Sequence, residues 1–476
     1  MSREGLEAGL AGAEAVRAAR GALAGRAAWI VGGAVRNALL GEQVRDIDLA
    51  VEPGSEEEVA RALARAGSGF AFPLSAEHAT WRAVAAGEAW HADVTALRAP
   101  AIEGDLRLRD FTVNAVALPL EGGDPLDPTG GIADARARSL RVVSDGAFAD
   151  DPLRLLRAPR LASRYGLELE AGTAKLARSQ AQRAADPAGE RQFAELRAMV
   201  AGPDPLGALA LLDQLGLTAV VLPEVEAMRG LAQTANHHLD VHAHTVAVLE
   251  QQLEIERDLP RFCGDAAPAM AELLAEPLAD ELTRSEALRF GALLHDVGKP
   301  ATRGVIEGRV TFIGHDRAGA EMIASLCRRL KTSRRLSVHL EGLALHHLHL
   351  GFMVHDRPLS RRRVYDYLRT TEPVGPDVTL LTAADRLAAR GEGPLASEEM
   401  VAAHLELVRE TLPAALAWHA DPPRPPLSGD ELAVEAGIEP GPRMGEILEE
   451  LRAAAFTGEA PDRDSALELA RGLASG

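Results

Sequence analysis

The sequence predicts an α+β head, a sheet with flanking helices over residues 1–140, followed by an all-α remainder. Three observations carry this. Strand and helix signals alternate between Trp29 and Val51, further strand signals continue to Leu118, and beyond about residue 140 the apolar residues recur at helical spacing. A chain of 476 residues exceeds one ordinary core and is expected to form about three domains plus a tail.

Residues 1 to about 26 read as an Ala-rich lead-in helix. Trp29-Ile30-Val31 is a strand, Gly32-Gly33 a turn, and the helix after it runs through Leu40 into a second strand, Ile47 to Val51. Trp90 to Leu97 and Phe111 to Leu118 read as further strands, and Asp127-Pro128-Thr129-Gly130-Gly131 is strong turn punctuation closing the head near residue 140. Helical spacing in Pro152 to Leu167, Gln192 to Val200 and Leu206 to Leu217 marks a neck and body over 141–235, broken at Pro203, Pro205 and Pro223. A helical region over 236–395 holds most of the 15 histidines, and 396–476 is linker and helical tail, the Pro-rich linker, Asp421 to Pro426, preceding the short helical tail.

Two cysteines, Cys263 and Cys327, exclude a disulfide framework and a cysteine-rich zinc module and fit a reducing cytoplasm. No apolar run reaches the roughly 18 residues a membrane span needs. A net charge of −19 excludes a uniformly basic RNA binder, so attraction to phosphates must be local. Arg154, Arg157, Arg160 and Arg164 recur along one helical face, and Arg328, Arg329, Lys331, Arg334 and Arg335 form a second cluster; each is either such a patch or a solvated helix surface.

The sharpest local pattern is Val31-Gly32-Gly33-Ala34-Val35-Arg36 followed by Arg45-Asp46-Ile47-Asp48-Leu49. Alternation along a strand puts Asp46 and Asp48 on one face, their Cα atoms roughly 7 Å apart, a span suited to two carboxylates sharing Mg²⁺ ions. Glycines between a strand and a helix let the backbone approach phosphates, with helix-start N–H groups favouring anions. Gly32 and Gly33 thus form a phosphate cradle facing a metal pair. Asp93 is either a third acid, if its strand lies beside the first, or a solvated strand residue.

With these residues in view, the head resembles the class II tRNA nucleotidyltransferase and bacterial poly(A) polymerase family. The resemblance rests on IVGGAVRNALLGEQVRDIDL, LRDFTVNAVAL, DPLDPTGGIADARARSLRVV, DDPLRLLRAPRLASRYGLEL and ERQFAELRAMV, in the family's order from residue 29 to about 200. It implies a nucleotidyltransferase-type sheet, Asp46 and Asp48 as catalytic metal ligands, and a nucleotide held by Gly32, Gly33 and Arg36. It further implies ribose reading by Arg109 and Asp110 with Asn114 nearby, and base reading by Asp151 and Arg154, with Arg157 on the same helix. On a helix, positions i and i+3 share a face, so a carboxylate acceptor beside a guanidinium donor mimics a base-pairing edge. Three positions depart from the family pattern: Asn37 for the usual Asp, Leu108 for a first Arg before Arg109, and Asp150 for Glu.

A second constellation, His244, His295-Asp296 with Gly298-Lys299, His315, His346 and Asp385, has the order of the HD metal-dependent phosphohydrolase superfamily, which it resembles through LLHDVGKPATR, FIGHDRAGAEMI and LTAADRLAAR. Imidazole and carboxylate from neighbouring positions bind one divalent ion while a distant His and Asp complete its shell. His238, His242 and His347 are alternative ligands, whereas His78 and His419 read as structural histidines. Two histidines beyond the minimal set allow a dinuclear site, and imidazole ligation suits Mn, Fe or Ni as well as Mg²⁺. The alternative is a degenerate domain kept for structure.

The expected activity is template-independent addition of CMP and AMP, from CTP and ATP, to the 3′ end of tRNA. A poly(A) polymerase or an A-adding or CC-adding enzyme would share the head motifs. A phosphohydrolase acting on nucleotide or RNA phosphoesters is the alternative of a different class.

Overall fold

The sheet of the first unit is set by short apolar strands whose alternate residues face a helical layer. The computed structural model describes residues 6, 9–75 and 79–475, and the chain divides into two units, Met1–Val221 and Leu222–Gly476. The first residues of the lead-in helix, and His78, lie outside the described residues.

The first unit is built on a six-stranded mixed sheet in the order β3-β4-β5-β2-β1-β6. Its strands are β1 (Ala28–Val31), β2 (Ile47–Val51), β3 (Phe70–Ser75), β4 (Thr80–Val84), β5 (His91–Ala96) and β6 (Leu118–Pro119). Helix α1 (Gly32–Leu40) joins β1 to β2, and α2 (Glu56–Ala66) leads into β3. One face of the sheet, with Ile30, Ile47, Leu49, Val51, Ala83, Ala92 and Val94, packs on Val59 and Leu63 of α2 and on the lead-in segment. All neighbouring strands are antiparallel except β2 and β5, which pair in parallel with Asp48 opposite Asp93.

One sequence reading of the head is corrected. Phe111 to Leu118 is not one strand but a single-residue bridge at Phe111, a 3₁₀ turn over Thr112–Asn114 and the short β6. The run is apolar because it is buried throughout, and apolar burial alone does not distinguish a strand from an irregular core segment. The hairpin β3–β4 and helix α2 had no counterpart in the sequence reading. The first unit, which ends at Val221, holds the residues read as the head and those of the neck and body up to that point, and within it Ser139–Leu140 pairs in parallel with Glu168–Leu169.

The second unit is helical apart from two short hairpins, Pro277–Ala279 with Leu282–Thr283 and Gly304–Ile306 with Arg309–Thr311. Its functional helices are α4 (Val241–Arg257), α5 (Arg284–Leu294), α6 (His315–Leu330), α7 (Arg334–His346) and α8 (Gly375–Ala388), α3 being Arg154–Tyr165 in the first unit. The Asp240 side chain caps α4, Thr283 with Glu286 forms a capping box on α5, and Ser333 caps α7. Helices α5 and α8 are tied by an ion pair between Arg284 and Asp377, both buried. The tail carries a small core of its own, with Leu427, Leu432, Ile447 and Leu451 at its centre.

Removing one partner of a buried ion pair strands the other charge. Asp377→Ala should destabilise the second unit by roughly 3–5 kcal/mol. Denaturant unfolding should show one transition moving to lower denaturant while the transition of the first unit stays in place.

Candidate active site and metal centre

In the head, three acids converge on a cavity of about 490 Å³ lined by Asp46, Asp48 and Asp93 together with Gly33, Arg82 and His91. Asp46 precedes β2 by one residue and is 61% exposed at its side chain, accepting a hydrogen bond from the His91 backbone N–H at 2.8 Å. Asp48 lies within β2 and accepts from Gly33 N–H at 3.2 Å. Burial, with Asp93 alongside, raises the Asp48 carboxyl above its usual range, while the Gly33 N–H, Arg109 and Arg36 act in the opposite direction. A cation between these acids would relieve that cost. Asp93 is gripped by both ends of the Arg82 guanidinium, at 2.7 and 2.8 Å.

Gly32 shows why a side chain is excluded there. Its φ is +64°, and a Cβ would lie 2.9 Å from Asp48 Oδ2 and 3.2 Å from an Arg109 nitrogen. Arg36 is buried and donates to Asn114 Oδ1 at 2.8 Å and Asn37 Oδ1 at 2.9 Å, with Tyr165 of α3 stacked 4.2 Å away. Asn37, the departure from the family pattern, is therefore an acceptor for Arg36. Asp110 accepts from Asn114 Nδ2 at 2.9 Å and from Phe111 N–H at 2.8 Å. Burial opposes ionisation of Asp110, but Arg157 and these donors hold its carboxyl below the usual range. Arg109 is held by Asp105, at 3.1 Å.

Asp151 and Arg154 are not on one helix. Asp151 sits in extended backbone between two helices, its carboxylate accepting from Leu153 N–H and facing Arg191 at 3.4 Å, whereas Arg154 opens α3. Pro152, with no N–H to give a continuous helix, separates them. Arg154 is buried and donates to the carbonyls of Ala147 (3.1 Å) and Leu108 (2.9 Å), with its Nε unpartnered. Leu108 thus serves through its backbone. Arg157 and Arg160 both bind Glu195, and Arg164 with Tyr165 lines the cavity. Arg82, His91 and Tyr165 were absent from the sequence reading. Only the period-2 alternation of β4 and β5 hinted at the first two.

In the second unit six side chains gather. His244, His295 and Asp385 form one group and Asp296, His315 and His347 another, the candidate ligand atoms within each lying within 4.8 Å of one another. Asp296 joins them: Oδ2 is 3.2 Å from His295 Nε2, and Oδ1 is 3.4 Å from His315 Nε2 and 3.7 Å from His347 Nε2. The Nδ1 atoms of His295, His315 and His347 lie 2.9, 2.7 and 2.6 Å from the carbonyls of Ala292, Phe312 and Ala344. Each ring thereby carries its proton on Nδ1 and turns the Nε2 lone pair inward, the tautomer a metal requires. His295 Nε2 and both Asp296 oxygens are buried without a hydrogen-bond partner, which in a dry interior is costly unless an ion completes them. The residues present therefore fit a divalent metal. Lys299 Nζ lies 2.6 Å from Asp296 Oδ2, an ion pair out of line for a hydrogen bond.

The structure corrects one member of the expected cluster. His347, not His346, faces the cluster: consecutive residues at a helix end point about 100° apart, so only one turns inward. His346 makes a tilted ring contact with His349, and burial lowers it to about 4. Burial also lowers His347, to about 3, so the ring stays neutral. His242 contacts Arg229 and His238 is exposed. Gly298 is required by close approach, since a Cβ there would meet the His315 carbonyl at 2.1 Å.

Residues 28–141 match the family model described as the Poly A polymerase head domain, 166–229 that of a probable RNA and SrmB-binding site of polymerase A, and 241–390 the HD domain. Fold and site together define a metal-dependent nucleotidyltransferase head carried on the same chain as an HD domain. The chain is 40% identical over 440 residues to the A-adding tRNA nucleotidyltransferase of Deinococcus radiodurans, spanning 91% of this chain and 92% of that protein. It is 32% identical over 443 residues to the CC-adding tRNA nucleotidyltransferase of Geobacter sulfurreducens, spanning 93% and 91%. It belongs to the tRNA nucleotidyltransferase family and is a nucleotidyltransferase. The same fold is seen in the CCA-adding enzyme of Thermotoga maritima complexed with tRNA, with TM-score 0.59, 21% identity and coverage of 97% of this chain and 94% of that one. A CCA-adding enzyme complexed with ATP has TM-score 0.64 at 22% identity, with coverage of 97% and 94%.

Metal analysis of the purified protein should separate the paired histidines. His347→Ala is expected to lose at least half of the metal bound to the second unit, while His346→Ala retains it; equal retention in both would remove His347 from the ligand set.

Proposed function

We propose that this chain adds nucleotides to the 3′ end of tRNA, with AMP from ATP as the principal addition. The observation that carries the chemistry is the convergence of Asp46, Asp48 and Asp93 on one cavity beside the Gly32–Gly33 turn. The 40% identity to an A-adding relative favours ATP, and CMP addition from CTP is the second reading, favoured by the CC-adding relative at 32%.

Asp46 and Asp48 would hold Mg²⁺, with Asp93 as a third acid that Arg82 positions. Such ions supply polarisation of the triphosphate and acidify the attacking 3′-hydroxyl. Gly32 and Gly33 leave the backbone N–H groups open to phosphate, and the Arg36–Asn114–Asp110 chain holds the wall where the ribose is read, with Arg109 beside Asp48 and Arg157 steadying Asp110. Asp151 and Arg154 are the base readers of this proposal: the Arg154 guanidinium is immobilised on two backbone carbonyls, and the Asp151 carboxylate is partly exposed. Replacing template by fixed protein donors needs this immobility, because a mobile guanidinium would accept any base.

Labelled ATP should be incorporated into tRNA ending in CC, and GTP and UTP should not. Asp48→Ala should lower this incorporation by about three orders of magnitude while leaving the unfolding transition in place, because electrostatic stabilisation of developing charge is the largest single catalytic term.

The second unit supports a further activity. Its ligand set is complete for a divalent transition metal such as Mn, Fe or Ni, and with Asp296 between the two groups it suits a dinuclear centre. With Mn²⁺ or Ni²⁺ added, the protein should hydrolyse a 2′,3′-cyclic nucleotide. His295→Ala should abolish the hydrolysis and leave ATP incorporation within about twofold, since sites built from separate residues in separate units are expected to fail independently. Joint loss would make the metal a structural one. Among the described residues no helix is long and apolar enough to cross a membrane, and the two buried free cysteines support a reducing cytoplasm.

A further inference from the structure

The face of the head sheet that carries the acids continues past the cavity to an exposed aromatic pair. Reading outward from β2, Asp48 is opposite Asp93 on β5, Asp93 opposite Arg82 on β4, and Arg82 opposite Phe72 on the edge strand β3. Directly paired residues project to the same face, so these four side chains lie in one row. Phe72 and Phe70, two residues apart and hence on the same face, are 37% and 60% exposed, with ring centroids 5.9 Å apart and planes inclined by 24°. The opposite face of the same strands is covered: Ala71, Trp81 and Ala83 pack into the core beneath α2. Among the described residues, these two phenylalanines stand partly exposed on the open face, in line with the acids.

We propose that Phe70 and Phe72 form a stacking platform for bases of the single-stranded 3′ end of the acceptor RNA, an inference that rests on the nucleotide-adding reading above. The order of strands assigns the sides. The Gly32–Gly33 turn follows β1, on one flank of β2, and takes the incoming triphosphate; β5, β4 and β3 lie on the other flank, and the second substrate must approach there. Three strand spacings place Phe72 roughly 14 Å from β2, about the rise of four stacked nucleotides on one strand, fewer if the strand is extended. An aromatic face accepts every base, which suits an acceptor end that need not be read in sequence.

Other occupants fit less well. A second copy adding a strand to β3 would need a regular edge, but Pro73 lacks an N–H and the pairing shifts between Pro73 and Ser75. A dimer through the face would need about 1,200 Å² or more of buried surface, which two rings beside a charged cavity do not supply.

The test uses the full chain, ATP and a tRNA transcript ending in CC. Phe70→Ala/Phe72→Ala should raise the KM for RNA on the order of tenfold, with the KM for ATP and the kcat at saturating RNA within about twofold. Phe70→Tyr/Phe72→Tyr should behave as wild type. Phe72→Leu, which keeps apolar bulk and guards against a folding defect, should still lose RNA affinity. Abasic sites three and four positions from the RNA 3′ end should weaken the wild type to the level of the double variant and leave that variant unchanged. An unchanged KM for RNA in the double variant overturns the proposal, as does an equal penalty from abasic RNA in both proteins. A fall in oligomeric state with unchanged KM overturns it in favour of an interface between copies. Should the wild type transfer no nucleotide to any RNA, the parent reading fails instead, and fluorescence titration of the same RNA against wild type and double variant still decides the platform by whether affinity falls.

Discussion

The parallel pairing of β2 with β5 is the constraint on which the head depends. It sets Asp48 opposite Asp93, and antiparallel β4 then sets Arg82 opposite Asp93, so that two acids and their positioning cation stand in one row. A slip of one residue would send Asp93 into the apolar layer and Val94 into the cavity, so register and chemistry are one requirement. Ile47, Leu49 and Val51 enforce it from the buried face. Gly32 is bound into the same arrangement, because any side chain there would press on the Asp48 carboxylate.

The second unit solves a different problem, bringing imidazoles from distant stretches of chain to one buried point. His295 and His347 follow the ends of α5 and α7, and His315 opens α6. At each, Nδ1 is spent on a carbonyl three residues earlier and Nε2 is left for the cluster. That geometry fixes the tautomer without a second carboxylate, and Gly298 lets the turn after Asp296 pass against the start of α6.

A chain of net charge −19 that handles RNA relies on where its arginines are held. Much of the neck cluster is engaged internally: Arg157 and Arg160 share Glu195, and Arg154 is locked to backbone carbonyls. In the second cluster Arg329 meets Glu224 and Arg334 meets Glu341. These arginines therefore act first as struts. Arg164, exposed at the cavity rim, is the member of its row that faces a place where phosphates would pass.

The sequence by itself determined the elements whose signals are local. Strand β1, the Gly-Gly turn, helix α1 and strand β2 stand where alternation and turn chemistry put them, and Asp46 and Asp48 drew attention because they stand two residues apart where β2 begins. The histidine order was legible for the same reason at His295-Asp296. Tertiary structure alone decided the rest. Phe111 to Leu118 is apolar because it is buried, and burial has no period when every side of a segment is covered. The choice of His347 over His346 depends on which way a helix end turns toward a partner more than 30 residues away. The break at Pro152 put Asp151 and Arg154 on separate elements. Arg82 and the row reaching Phe72 exist only through pairing between strands, because a register is a relation between segments and no single segment contains it.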